Sequence, residues 1–306
     1  MRRLLIRPGA IGDFIVSLPA LMALRASYTE VWTTETNRPL AWFADQTDSI
    51  FATGLDVFGL PGRPENQTLF NRLREFDSIV SWYGAARSDF REFVQALGLP
   101  FEFHRALPAE RSGLHATDYY LAQVGAPCGA VPFIPTRRKP LDAIVIHPFS
   151  GSAKKNWPLE GFRQLATTLS QEGFGPVLWS AGPEEPLADA VRFDNLRALA
   201  DWLSGARLYI GNDSGITHLA AAVGAPVIAL FGPTDPNTWA PRGPLVEIVQ
   251  SPDGTMESIS LNQVLDTVRD VCRRLARQNP SPVDQPHPAS SLSRSPHPSH
   301  HSDPLA

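Results

Sequence analysis

Four stretches of this 306-residue chain carry side chains whose types and spacing suit chemistry on phosphates and hydroxyls. The first is Arg7-Pro8-Gly9-Ala10-Ile11-Gly12-Asp13-Phe14, followed by a helical pattern. Gly9 and Gly12 permit a tight turn and leave space for a ligand at a helix N-terminus. Asp13 has two compatible readings. It is the N-cap of that helix, or it is a carboxylate at a cleft that takes a proton from an attacking hydroxyl. The run is not G-x-G-x-x-G and lacks an acidic residue at the end of the second strand, so a dinucleotide site is weakly supported.

The second stretch, Pro148 to Pro158, holds Ser150, Gly151, Lys154 and Lys155. Small hydroxyl-bearing residues ahead of lysines can cradle a phosphate, although solvated surface loops share that composition. The third, Ala181-Gly182-Pro183-Glu184-Glu185-Pro186, offers one of two acids to ribose hydroxyls or a base, or else an acid-rich helix start. The fourth is Asn212-Asp213-Ser214-Gly215-Ile216-Thr217-His218. Asp213, Ser214 and Gly215 fall where a strand yields to a helix whose free N–H groups can meet a phosphate. His218 is one turn further on, placed to donate to an anionic leaving group or to sit in the core.

The elements that must position these residues alternate. Strands are expected at Leu4-Ile6, Glu30-Thr33, Asp56-Phe58 and Ser78-Trp82, with helices at 13–26, 37–46, 66–75 and 87–97. After the proline-bounded stretch Pro132-Pro140 the pattern restarts. Strands follow at Ala143-His147, Pro176-Ser180, Leu208-Gly211 and Val227-Phe231, with helices at 159–172, 184–190, 197–204, 215–223 and 261–277. Such alternation means parallel sheets covered by helices on both faces. The expectation is an α/β chain with two Rossmann-like, doubly wound domains facing a cleft, 1–136 and 137–278. Ligands in such folds sit outside the carboxyl ends of the strands.

Composition agrees with two domains: 43% hydrophobic and 19% charged residues suffice for full cores. Residues 279–306 differ. From Pro280 onward there are seven prolines, seven serines and four histidines, at 287, 297, 300 and 301, and few large apolar residues. This tail is expected to be disordered, and its histidines lack the partners of a metal site. Cys128 and Cys272 are too few for a disulfide scaffold or a four-ligand zinc site, which favours a reducing compartment. The start is not a secretory signal and no apolar run reaches spanning length, so a cytoplasmic protein is expected. Fifteen basic residues face 14 acidic ones up to residue 140, and 12 face 17 beyond it. Neither part is the basic block of a nucleic-acid binder.

Taken together, the motifs resemble glycosyltransferase family 9, the ADP-heptose:lipopolysaccharide heptosyltransferases, over about residues 1–275. Ile11-Gly12-Asp13 with Ser17-Leu18-Pro19-Ala20-Leu21, and Lys155-Asn156-Trp157-Pro158, carry the resemblance. So do Asn212 to Ala222 and Phe231-Gly232-Pro233-Thr234-Asp235-Pro236. The resemblance implies the GT-B architecture, with the acceptor on the first domain and the nucleotide sugar on the second. It implies inverting transfer of heptose, or a related sugar, from an ADP-sugar to a lipopolysaccharide-core or similar glycan. No cofactor is expected, and no D-x-D triplet occurs. By the same resemblance Asp13 is the catalytic base. Ser150, Gly151, Lys155, Glu185 (or Glu184), Asp213, Ser214, Gly215 and His218 bind the donor. The chain is short over 97–142, where the family's acceptor-binding segments would fall. Two alternatives remain: a nucleotide-sugar 2-epimerase of the same architecture, or a non-catalytic nucleotide-sugar-binding protein.

An acceptor of that class is an anionic glycolipid, so weak, salt-sensitive association with the inner face of the cytoplasmic membrane is expected. Candidate contacts are Arg63, Arg72 and Arg74 near one helix, and Arg87 and Arg91 on the next. The last two, four residues apart, share a helix face.

Overall fold

The computed structural model describes residues 1–60, 66–108 and 113–278. The chain divides into two compact units, Met1–Val268 and Arg269–Ala306. In the described part of the second unit, a helical segment, Arg273 pairs with Asp270 at 2.8 Å. The tail expected to be disordered, and Arg63, lie outside the described residues.

The first unit holds two five-stranded sheets. One contains β1 (Arg2–Ile6), β2 (Tyr28–Thr33), β3 (Gln46–Ser49), β4 (Ser78–Ser81) and β5 (Phe101–Phe103), in the order β3-β2-β1-β4-β5. The other contains β6 (Leu141–His147), β7 (Val177–Trp179), β8 (Ala206–Asn212), β9 (Val227–Phe231) and β10 (Val246–Gln250), in the order β10-β9-β8-β6-β7. Every pairing is parallel. Leu4-Leu5-Ile6 and Val227 to Phe231 are buried throughout, the continuous apolar pattern of strands covered on both faces.

The helices in chain order are α1 (Ile11–Ala23), α2 (Ile50–Thr53), α3 (Gln67–Leu73), α4 (Ser88–Ala96), α5 (Ala116–Gln123) and α6 (Leu159–Gln171). They continue with α7 (Leu196–Leu203), α8 (Gly215–Ala222), α9 (Pro236–Trp239) and α10 (Leu261–Gln278). This is the two-sheet, doubly wound α/β arrangement expected. Strand order reverses between β1 and β4 in one sheet and between β6 and β8 in the other, which opens a crevice at each set of carboxyl ends.

Local expectations failed in places. Asp56-Phe58 is a turn, and β3 lies earlier, at the polar run Gln46–Ser49. The helix at 37–46 shrinks to a 3-10 turn over Glu35–Leu40, interrupted by Pro39, which has no N–H to donate. No helix forms at 184–190. There, Arg192 donates to the carbonyls of Gly182, Glu185, Leu187 and Ala190 and folds the segment into turns.

The two sheets are linked through shared packing and specific bonds. Leu18, Ala20 and Leu21 of α1 and Leu219 to Ala222 of α8 belong to one apolar core. Arg242 embraces Asp118 of α5 with bonds of 2.9 and 2.6 Å, which holds that carboxyl down to about 2. His115 caps α5 by accepting from Thr117 N–H at 3.1 Å, so its other ring nitrogen carries the proton given to the Ala240 carbonyl at 2.8 Å.

Candidate active site

Two cavities open at the carboxyl ends of the sheets, and one loop walls both. The first, about 970 Å³, is bounded by Pro8 and Gly9 after β1, Trp82 to Arg87 after β4, and Phe103 to Leu107 after β5. The second, about 690 Å³, is bounded by Ala10, Ile11 and Gly12 of the same loop. Its far walls are the strand-end loops of the second sheet, at His147 and Phe149 to Gly151, at Ala181 to Pro183 with Glu185, and at Ser214 to Ile216. Asp13 follows directly on this shared wall.

Asp13 is not the N-cap of α1. Ala10 holds that position with extended backbone and no side-chain bond, and Asp13 is the third helical residue. The reason is the turn itself: Gly9, at φ +143°, releases the chain into the helix before Asp13 arrives. The Asp13 carboxylate makes no hydrogen bond or ion pair among the described residues. It belongs to the helix's first turn, where the dipole favours negative charge.

The second sheet's loops are bound tightly to one another. Asn212, ending β8, donates to the Pro148 carbonyl at 2.8 Å and accepts from Trp157 N–H at 3.0 Å. Trp157 in turn donates its indole N–H to Ile259 at 2.9 Å. Ser150 donates to Ser152 and Asn156, while the Cβ that Gly151 lacks would meet only open space. Ser214 is the true N-cap of α8, accepting from Thr217 N–H at 3.3 Å.

Lys155 and Asp213 form an ion pair of 2.7 Å, with Asp213 buried and Lys155 half-buried. Asp213 thus holds the ammonium at the mouth of β8. Gly215 has a packing reason to be glycine: a Cβ there would stand 2.7 Å from Ile11 Cβ and 2.9 Å from Gly12 N. The helix starts of α1 and α8 therefore touch, and both line the smaller cavity. Free N–H groups of two helices from two sheets converge there, the arrangement that attracts an anion.

His218 is buried beside Gly12, and burial pushes its imidazole down to about 4, against the opposing pull of Asp213. It is neutral at pH 7 and offers one N–H. Between the two acids of the third stretch, Glu185 lines the cavity and Glu184 is exposed. Glu185 accepts from Gly182 N–H at 2.5 Å and lies 3.8 Å from His147 Nε2.

Several residues escaped the sequence reading. His147, 3% exposed, shares a hydrogen bond of 3.0 Å with Ser180 and is pushed down to about 4 by burial. Arg7 is buried beneath the loop of Asp13. Each is the basic residue at the carboxyl end of the first strand of its array; the sequence marks His147 only as a strand end and Arg7 only as the start of a loop. Glu35 and Thr36 bring the first sheet's side into the smaller cavity, a contact no local pattern announces.

On the other side, Arg87 and Arg91 both line the larger cavity. Arg87 is engaged with Asp89 at 2.9 Å, and Arg91 rests over the Phe103 ring at 5.8 Å. Arg72 bonds to Glu30 and, at 2.9 Å, to Asp48, away from this cavity. Among the described residues no group of three His, Cys, Asp or Glu side chains is placed to hold a metal ion.

Two doubly wound parallel sheets, with a cavity built from the strand ends of one and the helix start of the other, define a GT-B-type α/β protein. The chain belongs to glycosyltransferase family 9 (heptosyltransferase), whose family model matches residues 24–268. It is 29% identical over 118 residues to lipooligosaccharide heptosyltransferase 2 of Haemophilus influenzae, 33% of this chain and 34% of that protein. It is 35% identical over 130 residues to lipopolysaccharide heptosyltransferase 3 of Escherichia coli K12, 34% of this chain and 37% of that protein. The chain thus matches these curated relatives over about a third of their length. The fold resembles that of Escherichia coli ADP-heptose lps heptosyltransferase II, with a TM-score of 0.68 at 18% identity, over 91% of this chain and 99% of the other. Escherichia coli heptosyltransferase WaaC with ADP gives 0.63 at 19%, over 89% and 100%.

Proposed function

We propose that this protein is an inverting glycosyltransferase that moves heptose from ADP-heptose to a lipopolysaccharide-core acceptor. The observation that carries this reading is the shared wall: one loop, ending at Asp13, whose carboxylate is unpaired among the described residues, separates two cavities of different character. The smaller takes the donor. Ser150 and Gly151 with the two helix starts receive the diphosphate, Glu185 faces the nucleoside, and Lys155, steered by Asp213, neutralises phosphate charge. The larger cavity, with Arg87 and Arg91 on its wall, takes the anionic acceptor.

In the reaction an acceptor oxygen forms a bond to the anomeric carbon as that carbon's bond to the diphosphate breaks on the opposite face. The proton of the acceptor hydroxyl passes to Asp13, and the bonding electrons leave with ADP. Lys155, the N–H of neutral His218 and the N-termini of α1 and α8 stabilise the departing charge. The same reading divides the chain into an acceptor-side domain, 1–136, and a donor domain, 137–278. It puts the work at the inner face of the cytoplasmic membrane; no helix among the described residues is long and apolar enough to cross a membrane.

The test is ADP release from ADP-heptose with and without deacylated lipopolysaccharide core. Acceptor-dependent release, with the heptose recovered on the core, is expected. ADP-heptose bound and never turned over in the presence of core would discard transfer in favour of a binding protein.

A further inference from the structure

Arg7 is 2% exposed, yet no carboxylate pairs with it among the described residues and its Nε has no hydrogen-bond partner. A buried cation without a counter-ion is expensive, so what it holds is informative. Its Nη1 donates to the Pro8 carbonyl at 2.9 Å. Its Nη2 donates to the Asp13 carbonyl at 3.2 Å and to the Tyr120 hydroxyl at 2.9 Å. The guanidinium also lies over the Tyr120 ring, 4.9 Å from its centroid.

Pro8 and Asp13 bracket the loop between the two cavities, so one planar group grips it at both ends. Tyr120 then donates to the Ala106 carbonyl at 2.8 Å, on the wall of the larger cavity. Burial pushes the Tyr120 phenol up to about 12, so it stays a donor at any working pH. The Cβ that Gly9 lacks would stand 3.3 Å from Arg7 Nη1 and 3.6 Å from Asp13 Oδ2. Glycine keeps that space between guanidinium and carboxylate empty, on the side that opens to the larger cavity.

We propose that Arg7, held in place by Tyr120, is the positioning residue that fixes Asp13 at the end of the loop between the two cavities. The proposal rests on Asp13 being the proton acceptor. Arg7 itself lines neither cavity and acts from beneath. A lysine keeps the charge but lacks the planar fork that spans Pro8, Asp13 and Tyr120 at once.

Steady-state kinetics with ADP-heptose and deacylated lipopolysaccharide core, beside calorimetry with ADP, test this on Arg7→Met, Arg7→Lys, Tyr120→Phe and Asp13→Asn. Arg7→Met should lower kcat about 10- to 100-fold, the scale of a small misplacement of a reacting group. Its KM for donor and its Kd for ADP should stay within about twofold. Arg7→Lys should recover part of the rate, and Tyr120→Phe, which keeps the ring, should lose about 3- to 10-fold in kcat, the milder end of the same misplacement scale. If Arg7→Met does not fold, Tyr120→Phe decides alone. Slow turnover in Asp13→Asn with parental rates in the Arg7 and Tyr120 variants overturns this proposal only. Normal turnover in Asp13→Asn overturns the base assignment and this proposal with it. Weakened ADP binding in step with kcat would mean general disorder of the loop and also overturn it.

Discussion

The two sheets present their loops in opposite ways. At the carboxyl ends of β6 and β8 the polar side chains satisfy one another: Asn212 ties two loops, Ser214 caps α8, and Lys155 is already paired with Asp213. At the end of β1 the carboxylate of Asp13 has no partner among the described residues, and order is imposed on its backbone from below by Arg7. The contrast fits the two tasks proposed for these loops. A diphosphate is bound by fixed dipoles and charge that must exist before it arrives. A proton acceptor must keep its oxygens free.

The sharpest break of that comparison is Asp13→Asn. Because Ala10, and not Asp13, caps α1, the change should alter folding by less than about 1 kcal/mol. Acceptor-dependent turnover should fall by roughly 10²–10⁴-fold, the contribution of a positioned proton acceptor. ADP affinity should stay as it was. A variant turning over within a fewfold of the parent removes the functional distinction between the two sides.

Acid should weaken the second sheet's side. His147 and His218 are held neutral by burial, each pushed from its ordinary value down to about 4. The unfolded chain protonates them near pH 6.5 and the folded chain only near 4. Stability is therefore full above pH 6.5 and is lost as pH falls from about 6.5 to about 4. Each histidine can contribute up to about 1.4 kcal/mol per pH unit across that window. Asp118, held low by Arg242, loses its contribution only below the ordinary carboxylate range, outside this window. Thermal melts between pH 7.5 and 4.5 should show a steep decline that His147→Gln flattens. A parent Tm independent of pH in this range would contradict the burial argument.

The same asymmetry explains what the sequence disclosed. Central strands such as Leu4-Leu5-Ile6 and Val227 to Phe231 are covered on both faces and read as unbroken apolar runs. The strands that escaped, β3, β5 and β10, are all sheet edges, half-exposed, short or polar, with no such run to find. Helix α5 lies in the 97–142 stretch, where no element was expected, and its Tyr120 meets Arg7, 113 residues earlier, through a bond no local pattern announces. Within the candidate site, strand-end loops were legible because small residues, acids and lysines cluster there. The partnerships were not: that Asp213 holds Lys155, or that Gly215 is small to admit Ile11, depends on segments far apart in the chain.

Lys155→Ala sharpens the view of the donor side as prebuilt. Loss of one charge-assisted phosphate contact should weaken ADP binding by about 1.5–3 kcal/mol, or roughly 10–150-fold. It also strands the buried Asp213 carboxylate, so Tm should fall as well. Asp213→Ala should weaken ADP binding less, since its part is to steer the ammonium. Calorimetry with ADP measures both, and parental affinity in the two variants would move the diphosphate site elsewhere.

The smallest effect concerns the arginines on the acceptor side. As bare sequence, Arg87 and Arg91 looked like a basic face for an anionic membrane. Their surroundings temper that. Arg87 spends its charge on Asp89, and Arg91 lies along Phe103, so both are turned toward the larger cavity and its wall. An arginine free at an anionic surface is worth about 1 kcal/mol, and a neutralised one less. Binding to phosphatidylserine vesicles should therefore be weak at low salt and vanish at physiological salt. Asp89→Asn, which releases Arg87, should strengthen it by up to about that same 1 kcal/mol, while Arg91→Ala should lower acceptor affinity more than vesicle binding. Co-sedimentation at two salt concentrations, run beside acceptor KM measurements, separates these effects. Vesicle binding that survives physiological salt, or that Asp89→Asn leaves unchanged, would show that the membrane meets a different surface and that Arg87 faces only the cavity.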